Sequence, residues 1–514
     1  MSETAADDVA RAARLAAAYD PARFRADGEA VVGLLADALA GARRREGAVL
    51  PWAAPEAAAR AWGHDFARPE AGGARALLAR VVAESHHLHH PRYVGHQVTA
   101  PLPLAALCDL VSAYLNNGMA VYEMGPVATA MERAVVEWMA GRIGFAVRPG
   151  GAGDVGSAGG AGGAGGAGGG GAGGVLTSGG SAGNLTALLA ARQAKAGFDV
   201  WQRGTTAGPP LALLAAETTH YSVARAAEIM GLGAVGVFPV PVDAAFQLRP
   251  DALPAALAAA ERAGRRAIAV VASAGSTATG AIDPLPAIAD FAAAHALWLH
   301  VDAAHGGSAL TSVQQRGRLR GIERADSVVW DAHKMMLVPS LVTGVIFRDA
   351  AHGHQAFAQQ ADYLFKAGGG ADEPPWWDVG LRTLECTKLM MALKVYVALR
   401  VHGEAFFGDY IDHVFALAQR FAARLAAAPD FELALPPAQN IVCFRHTPPG
   451  VTGADLDALQ ARVRDRVIQA GHAYLVKTGL PTGVFLRTTI INPLTTDADL
   501  DAVLDAVRAA ARQG

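Results

Sequence analysis

From residue 175 onward, short apolar runs alternate with stretches whose apolar residues recur at helical spacing. The runs at 211–216, 266–272, 327–330 and 343–348, and one ending at Asp302, read as strands. They are almost continuously apolar, as expected for strands buried on both faces. Between them, 185–195, a stretch ending at Met230, 249–263 and 285–295 read as helices. Alternation of this kind predicts a mainly parallel sheet with right-handed crossovers. Upstream, Arg11, Leu15 and Tyr19, then Val31, Leu34, Leu35 and Leu39, recur at helical intervals in an alanine-rich background. Several helices are expected there up to about residue 84, with two more at 102–115 and 127–143. Residues 378–386 lead into a long helix through Arg400. Beyond it, helices at 408–427 and 454–470 alternate with strands at 440–446, 473–478 and 484–491. Thr496 is placed to cap a closing helix at 498–512. The division expected is a helical segment over 1–100, a large α/β domain over 101–395 and a small α+β domain over 396–514.

One stretch departs from both periodicities. Residues 150–174 are almost all glycine and alanine and swell the chain's glycine count to 58. Such a tract cannot build a core and reads as a flexible surface insertion. The 514 residues suffice for a large core, and a formal net charge of -3 gives no reason to expect nucleic acid. Three widely separated cysteines, Cys108, Cys386 and Cys443, argue against a disulfide framework and for a reducing compartment. There is no apolar run of membrane-spanning length, and the acidic first residues do not resemble a secretory leader, so a soluble cytoplasmic enzyme is expected. His86, His87, His89 and His90 invite a metal reading, but no carboxylate or cysteine flanks them at ligand spacing, and no metal is assigned.

The chemistry centres on two strand ends. One apolar run ends in Asp331-Ala332-His333-Lys334, and the run before it ends in Asp302-Ala303-Ala304. Ligands of open parallel sheets bind at the carboxyl ends of the strands. An amine and a carboxylate meeting there suit pyridoxal 5'-phosphate, which needs an imine at one side and a proton held on its ring nitrogen. A third feature is Ser178-Gly179-Gly180-Ser181, where a short strand turns through small residues into a helix whose free N–H groups make an anion site. Alone, that turn is a weak signal. His220, after the 211–216 strand, reads on its own as a helix cap or a core histidine.

Together, Asp302-Ala303-Ala304 and the spacing from Ser327 to His333-Lys334 resemble the group II pyridoxal-phosphate amino-acid decarboxylases, which include glutamate, aromatic and diaminobutyrate decarboxylases. The resemblance runs from about His90 to the C-terminus. It implies a fold type I large domain like that of aspartate aminotransferase, and a homodimer whose N-terminal segments embrace the partner. It implies that Lys334 carries the cofactor as an internal aldimine, that Asp302 pairs with the ring nitrogen, and that His220 stacks on the ring. Gly180 and Ser181 would contact the phosphate, with His333 beside it, and Thr277 and Ala304 would complete the cofactor site. Gln97, in a segment similar to the family's His-Pro-Arg-Phe stretch, and Arg487, in its C-terminal strand, would reach a substrate carboxylate; on residues alone Arg487 reads equally as a surface strand charge. The implied reaction converts an L-amino acid to its amine and carbon dioxide.

Two departures qualify this. Several family members carry a tyrosine in a lid loop that delivers a proton to the α-carbon; here residues 366–377 contain none, and Tyr363 stands only at the loop's start. An aldehyde-forming decarboxylase or another lyase therefore stays open, as does a non-catalytic module that has kept the fold. The family's Asn-Pro before His-Lys is Asp331-Ala332 here. A carboxylate beside a phosphate is repelled, so Asp331 is expected to point elsewhere.

Overall fold

The computed structural model describes residues 3–63, 66–67, 72–147, 171–357 and 377–513. Seven strands form the large sheet: β1 (Gly173–Thr177), β2 (Leu211–Ala216), β3 (Val237–Val240), β4 (Arg266–Ser273), β5 (Trp298–Asp302), β6 (Ser327–Asp331) and β7 (Thr343–Phe347). Their order is β1-β7-β6-β5-β4-β2-β3. Every neighbouring pair is parallel except those made by β7, which runs against both β1 and β6. All residues of β2, β5, β6 and β7 are buried, which is why their sequences do not alternate. The pleat still sorts them. Leu214, Val270, Val328 and Trp330 enter one core, and Leu213, Val271 and Val329 enter the core on the other face. The Pro126–Ile143 helix covers the first face and the Gly180–Lys195 helix the second.

A second, antiparallel sheet follows in the chain: β8 (Phe431–Leu433), β9 (Ile441–His446), β10 (Val476–Leu480) and β11 (Gly483–Thr489), in the order β10-β11-β9-β8. Its core joins Val442, Phe444 and Leu486 to the Glu404–Ala427, Gly453–Ala470 and Asp497–Ala511 helices. Thr496 does cap the last of these, in a reciprocal capping box with Asp499. The α/β class expected from the sequence is the one observed.

Several boundaries differ. The helix expected to run into Arg400 begins only at Ala392. The preceding chain is tied down elsewhere: Lys388 Nζ is buried against Glu132 and the Leu176 carbonyl, and the Gly380 N–H donates to the Ala120 carbonyl. The 249–263 helix splits into a 3-10 turn, Pro250–Ala252, and the Leu253–Arg262 helix. Pro254 has no N–H to continue an α-helical ladder across that junction. β3 and β8 were not expected; both are short edge strands, and β3 is interrupted by Pro239.

Part of the glycine-alanine tract belongs to the sheet. Gly173 and Gly174 open β1, and a Cβ on Gly174 would lie 2.1 Å from the Val345 carbonyl oxygen. Only glycine allows that approach. Residues 150–170 of the tract, Tyr363, and residues 366–376 of the loop that lacks a tyrosine lie outside the described residues.

Candidate active site

Because every strand of this sheet but β7 points the same way, their carboxyl ends and the loops after them gather on one edge. A cavity of about 330 Å3 opens there. After β1, Ser178 to Ser181 and Asn184 line it, β2 supplies His220, and β4 supplies Ser276 and Thr277. β5 contributes Asp302, Ala304 and His305, and β6 contributes Asp331, His333 and Lys334. Gly180, Ser181, His220, Thr277, Asp302, Ala304, His333 and Lys334 therefore share one cavity. The helix starts earlier than the sequence suggests, at Gly180. Gly180 and Ser181 thus lie in its first turn, where backbone N–H groups lack intrahelical partners.

Lys334 Nζ lies 2.9 Å from Asp331 Oδ2. The expectation that Asp331 points away from the cavity is wrong. Its carboxylate is buried in the cavity wall, and the Thr343 hydroxyl donates to its other oxygen. Burial by itself would raise this carboxyl, but the charges of Lys334 and His333 and the hydrogen bonds from Thr343 and Lys334 outweigh burial and hold it below the ordinary carboxylate range. A buried carboxylate needs a partner, and the lysine one helical turn onward supplies it. His333 Nδ1 lies 2.9 Å from the Val342 carbonyl oxygen and 3.3 Å from the Val342 nitrogen, and Nε2 turns toward Asp331, 3.7 Å away.

Asp302 is held differently. Its Oδ2 accepts from Asn184 Nδ2 at 2.8 Å and its Oδ1 from the Ala304 N–H at 3.1 Å, both neutral donors. His220 is at once a helix cap and a cavity residue: its Nδ1 accepts from the Ser222 N–H and lies 2.8 Å from Ser222 Oγ. Burial pushes the His220 imidazole below its usual range, against the opposing pull of Asp302.

Neither Arg487 nor Gln97 lines the cavity. Arg487, on β11, is buried and donates through Nη1 to the carbonyl of Thr277, at the cavity's wall, at 2.7 Å. Among the described residues, Arg487 Nε and Gln97 Nε2 are buried without a hydrogen-bond partner. The histidine run is used piecemeal. His86 packs against the rings of Tyr93 and Tyr474, His89 reaches the Pro101 carbonyl, and His90 accepts from the Arg92 N–H.

Asn184, Ser222, His300 and His305 were not anticipated. Two of them had a signal. Asn184 lies one helical turn beyond Gly180, and His300 lies two residues before Asp302, hence on the same face of β5.

Comparison with known proteins identifies the family. Residues 73–447 match the pyridoxal-dependent decarboxylase conserved domain. The chain is 31% identical to cysteine sulfinic acid decarboxylase of Mus musculus over 429 residues, 81% of each chain. It is 28% identical to the human acidic amino acid decarboxylase GADL1 over 442 residues, 84% of this chain and 80% of that one. The crystal structure of mouse CSAD superposes with a TM-score of 0.85 at 28% identity, over 96% of this chain and all of the other. With its lysine, its paired carboxylates and its small-residue helix start gathered on one sheet edge, the chain belongs to the pyridoxal-dependent amino-acid decarboxylase family, whose members are carboxy-lyases dependent on pyridoxal phosphate.

Proposed function

We propose that this chain decarboxylates an acidic L-amino acid to the corresponding amine and carbon dioxide, with Lys334 as the residue that carries the cofactor. One observation carries the reading: Lys334, Asp302 and His220, delivered by three different strands, line one cavity.

The donor set fits pyridoxal phosphate. The volume suits a small ligand. The first-turn N–H groups at Gly180 and Ser181, with the Ser181 hydroxyl, suit a phosphate. A Cβ on Gly180 would come within 3.2 Å of Asp331 Oδ2, so glycine keeps that end of the cavity open. Asp302 would hold the ring nitrogen, His220 would lie on the ring face, and Thr277, Ala304 and His333 would close the remaining sides. Bound there, the cofactor supplies an aldehyde for amines and a protonated ring that draws electrons from the α-carbon.

The chain's own residues do the rest. Asp331 fixes Lys334 Nζ at the strand end. Asp302, held by neutral donors alone, keeps its charge available to retain a proton on a partner nitrogen. The buried walls around Asp302, Asp331 and His333 keep bulk water from the reacting atoms.

The acidic preference is supported by the names of the two relatives. Carbon dioxide release from a panel of aspartate, glutamate, cysteine sulfinate, 2,4-diaminobutyrate and tyrosine tests this. Turnover of only the last two sinks the acidic assignment, and release from none sinks decarboxylation. A second reading rests on the absence of a tyrosine from 366–377: with oxygen and water as co-reactants the substrate would leave as aldehyde, carbon dioxide and ammonia, the oxygen being reduced to hydrogen peroxide. Counting amine and aldehyde per carbon dioxide separates the two. A homodimer is also proposed, because the N-terminal helices and their junction leave Leu15, Tyr19, Phe24 and Leu35 exposed; a monomer mass in solution scattering would overturn it. Among the described residues no helix is long and apolar enough to cross a membrane, and a cytoplasmic location is part of the same proposal.

A further inference from the structure

Behind the cavity, buried polar side chains form one continuous chain of hydrogen bonds. Trp298 Nε1 donates to Ser327 Oγ at 2.8 Å, and Ser327 Oγ lies 2.8 Å from His300 Nδ1. His300 Nε2 is 3.0 Å from Asn184 Oδ1. Asn184 Nδ2 then serves two acceptors at 2.8 Å each, Asp302 Oδ2 and Ser222 Oγ. Ser222 Oγ lies 2.8 Å from His220 Nδ1. Trp298, Ser327, His300, Asn184 and Ser222 are all buried, so water does not complete their bonding.

The hydrogens in this chain have one consistent placement. A carboxylate only accepts, so the amide of Asn184 must turn Nδ2 toward Asp302 and Oδ1 toward His300. That oxygen requires a proton on His300 Nε2. Burial keeps this imidazole neutral, with its pKa lowered to about 4, so its Nδ1 is bare and accepts from the Ser327 hydroxyl. The Ser327 oxygen is left to accept from Trp298, which can only donate. On the other arm, the Ser222 N–H points at His220 Nδ1 from 3.3 Å and can only donate, so that nitrogen is bare as well. The Ser222 hydroxyl donates to it, and the Ser222 oxygen accepts the second proton of Asn184. His220 therefore carries its ring proton on Nε2.

We propose that Asn184 is a positioning residue: its one amide aims the Asp302 carboxylate and, through Ser222, fixes the tautomer and orientation of His220, so that the two groups are set together. His300, Ser327 and Trp298 hold that amide in the one orientation able to serve both. An amide does this without bringing a charge next to Asp302, as a lysine or arginine would. The consequence for catalysis rests on the proposed roles of Asp302 and His220 toward pyridoxal phosphate. The hydrogen placement does not, and can be read on the protein without cofactor.

The test uses Ser222→Ala, Asn184→Ala and the double variant, read in two ways. Ring-nitrogen NMR of 15N-histidine protein, with resonances assigned by His220→Gln and His300→Gln, should find both rings as the Nε2–H tautomer in the wild type. Ser222→Ala should convert His220 to a mixture of tautomers and leave His300 unchanged. With cofactor bound, Ser222→Ala should lower kcat about 10-fold with little change in KM, and Asn184→Ala about 100-fold with a shift of the visible absorbance band, the scale of losing one oriented donor. Because both act through one amide, the double variant should be no worse than Asn184→Ala. An Nδ1–H tautomer at His220 in the wild type, an unmoved tautomer in Ser222→Ala, or losses that multiply in the double variant would each overturn the proposal. Should Asn184→Ala fail to fold, Ser222→Ala decides alone through the tautomer. If instead Lys334→Ala keeps both the visible band and turnover, the cofactor reading falls while the tautomer result stands or fails by itself.

Discussion

Two carboxylates leave adjacent parallel strands at the same cavity, and their surroundings are opposite. Asp302, at the end of β5, is held by an amide and a backbone N–H. Asp331, at the end of β6, is held by the ammonium of Lys334 and the hydroxyl of Thr343. Neutral donors orient a carboxylate without cancelling its charge, so Asp302 can still stabilise a proton on another group. An ammonium cancels the charge, so Asp331 acts on Lys334 and on little else. One fold edge thus carries one acid oriented toward a ligand and one spent on holding the amine in place. In the protein without cofactor, the carboxylate that stands where the family's pattern has an asparagine is neutralised by Lys334.

The contrast breaks most completely at Lys334. Lys334→Ala should lower turnover by roughly 10,000-fold, the scale of removing a covalent participant, and should abolish the visible band of the bound cofactor; a coloured, active variant would end the assignment. Next comes Asp302→Asn. It keeps the shape but loses the charge and one of the two acceptors that Asn184 and the Ala304 N–H use, and turnover should fall on the order of 1,000-fold while cofactor still binds by equilibrium dialysis. If Asp331→Asn matched that loss, the division between the two acids would be wrong; a loss within about 10-fold is expected there.

The Lys334 and Asp302 strand ends were legible in the sequence because buried parallel strands are apolar throughout, and a charged residue closing such a run stands out. The 211–216 run agrees residue for residue with β2, and the strand ending at Asp302 does end there. What escaped was of two kinds. The edge strand Val237–Val240 is only four residues long and carries Pro239, which argues against a strand. Long-range polar partners leave no pattern at all: nothing near Lys388 in the chain announces Glu132, 256 residues away. The Asp331–Lys334 pair was missed for another reason. Repulsion from a phosphate was weighed, and the ammonium three residues onward was not. The hydrogen-bonded chain through Asn184 joins four separate segments, and no local spacing encodes that.

Asymmetric burial gives the next test, on protein without cofactor. Asp331 is almost wholly buried, whereas the Lys334 side chain keeps 18% of its exposure. Removing the lysine strands a buried charge; removing the carboxylate's charge leaves an ammonium that water can reach. Lys334→Ala should therefore cost about 3 kcal/mol of unfolding free energy and Asp331→Asn only about 1 kcal/mol. Urea unfolding of the two variants beside the wild type measures both. Equal costs, or the reverse order, would mean that the ammonium and not the carboxylate is the poorly solvated partner.

The two ends of the cavity should also titrate in different windows. His300, which holds the amide serving Asp302, has its pKa depressed from the ordinary 6.5 to about 4 by burial. The unfolded chain then takes up a proton near pH 6.5 that the folded chain refuses, so stability is present above 6.5 and is lost as pH falls toward 4. At pH 5 the loss is about 2 kcal/mol, at 1.36 kcal/mol per unit. Asp331 is depressed too, but as a carboxyl. Its contribution is present above the ordinary value of about 4 and is lost only as pH falls below it. His300→Gln should therefore flatten the stability profile between pH 6.5 and 4, and Asp331→Asn only below that range. Unfolding free energies measured at pH 7, 5 and 3.5 for both variants distinguish the windows. A His300→Gln profile parallel to the wild type between 7 and 5 would mean that His300 is already charged in the fold, which is incompatible with its bond to the Asn184 oxygen being balanced by a bare Nδ1.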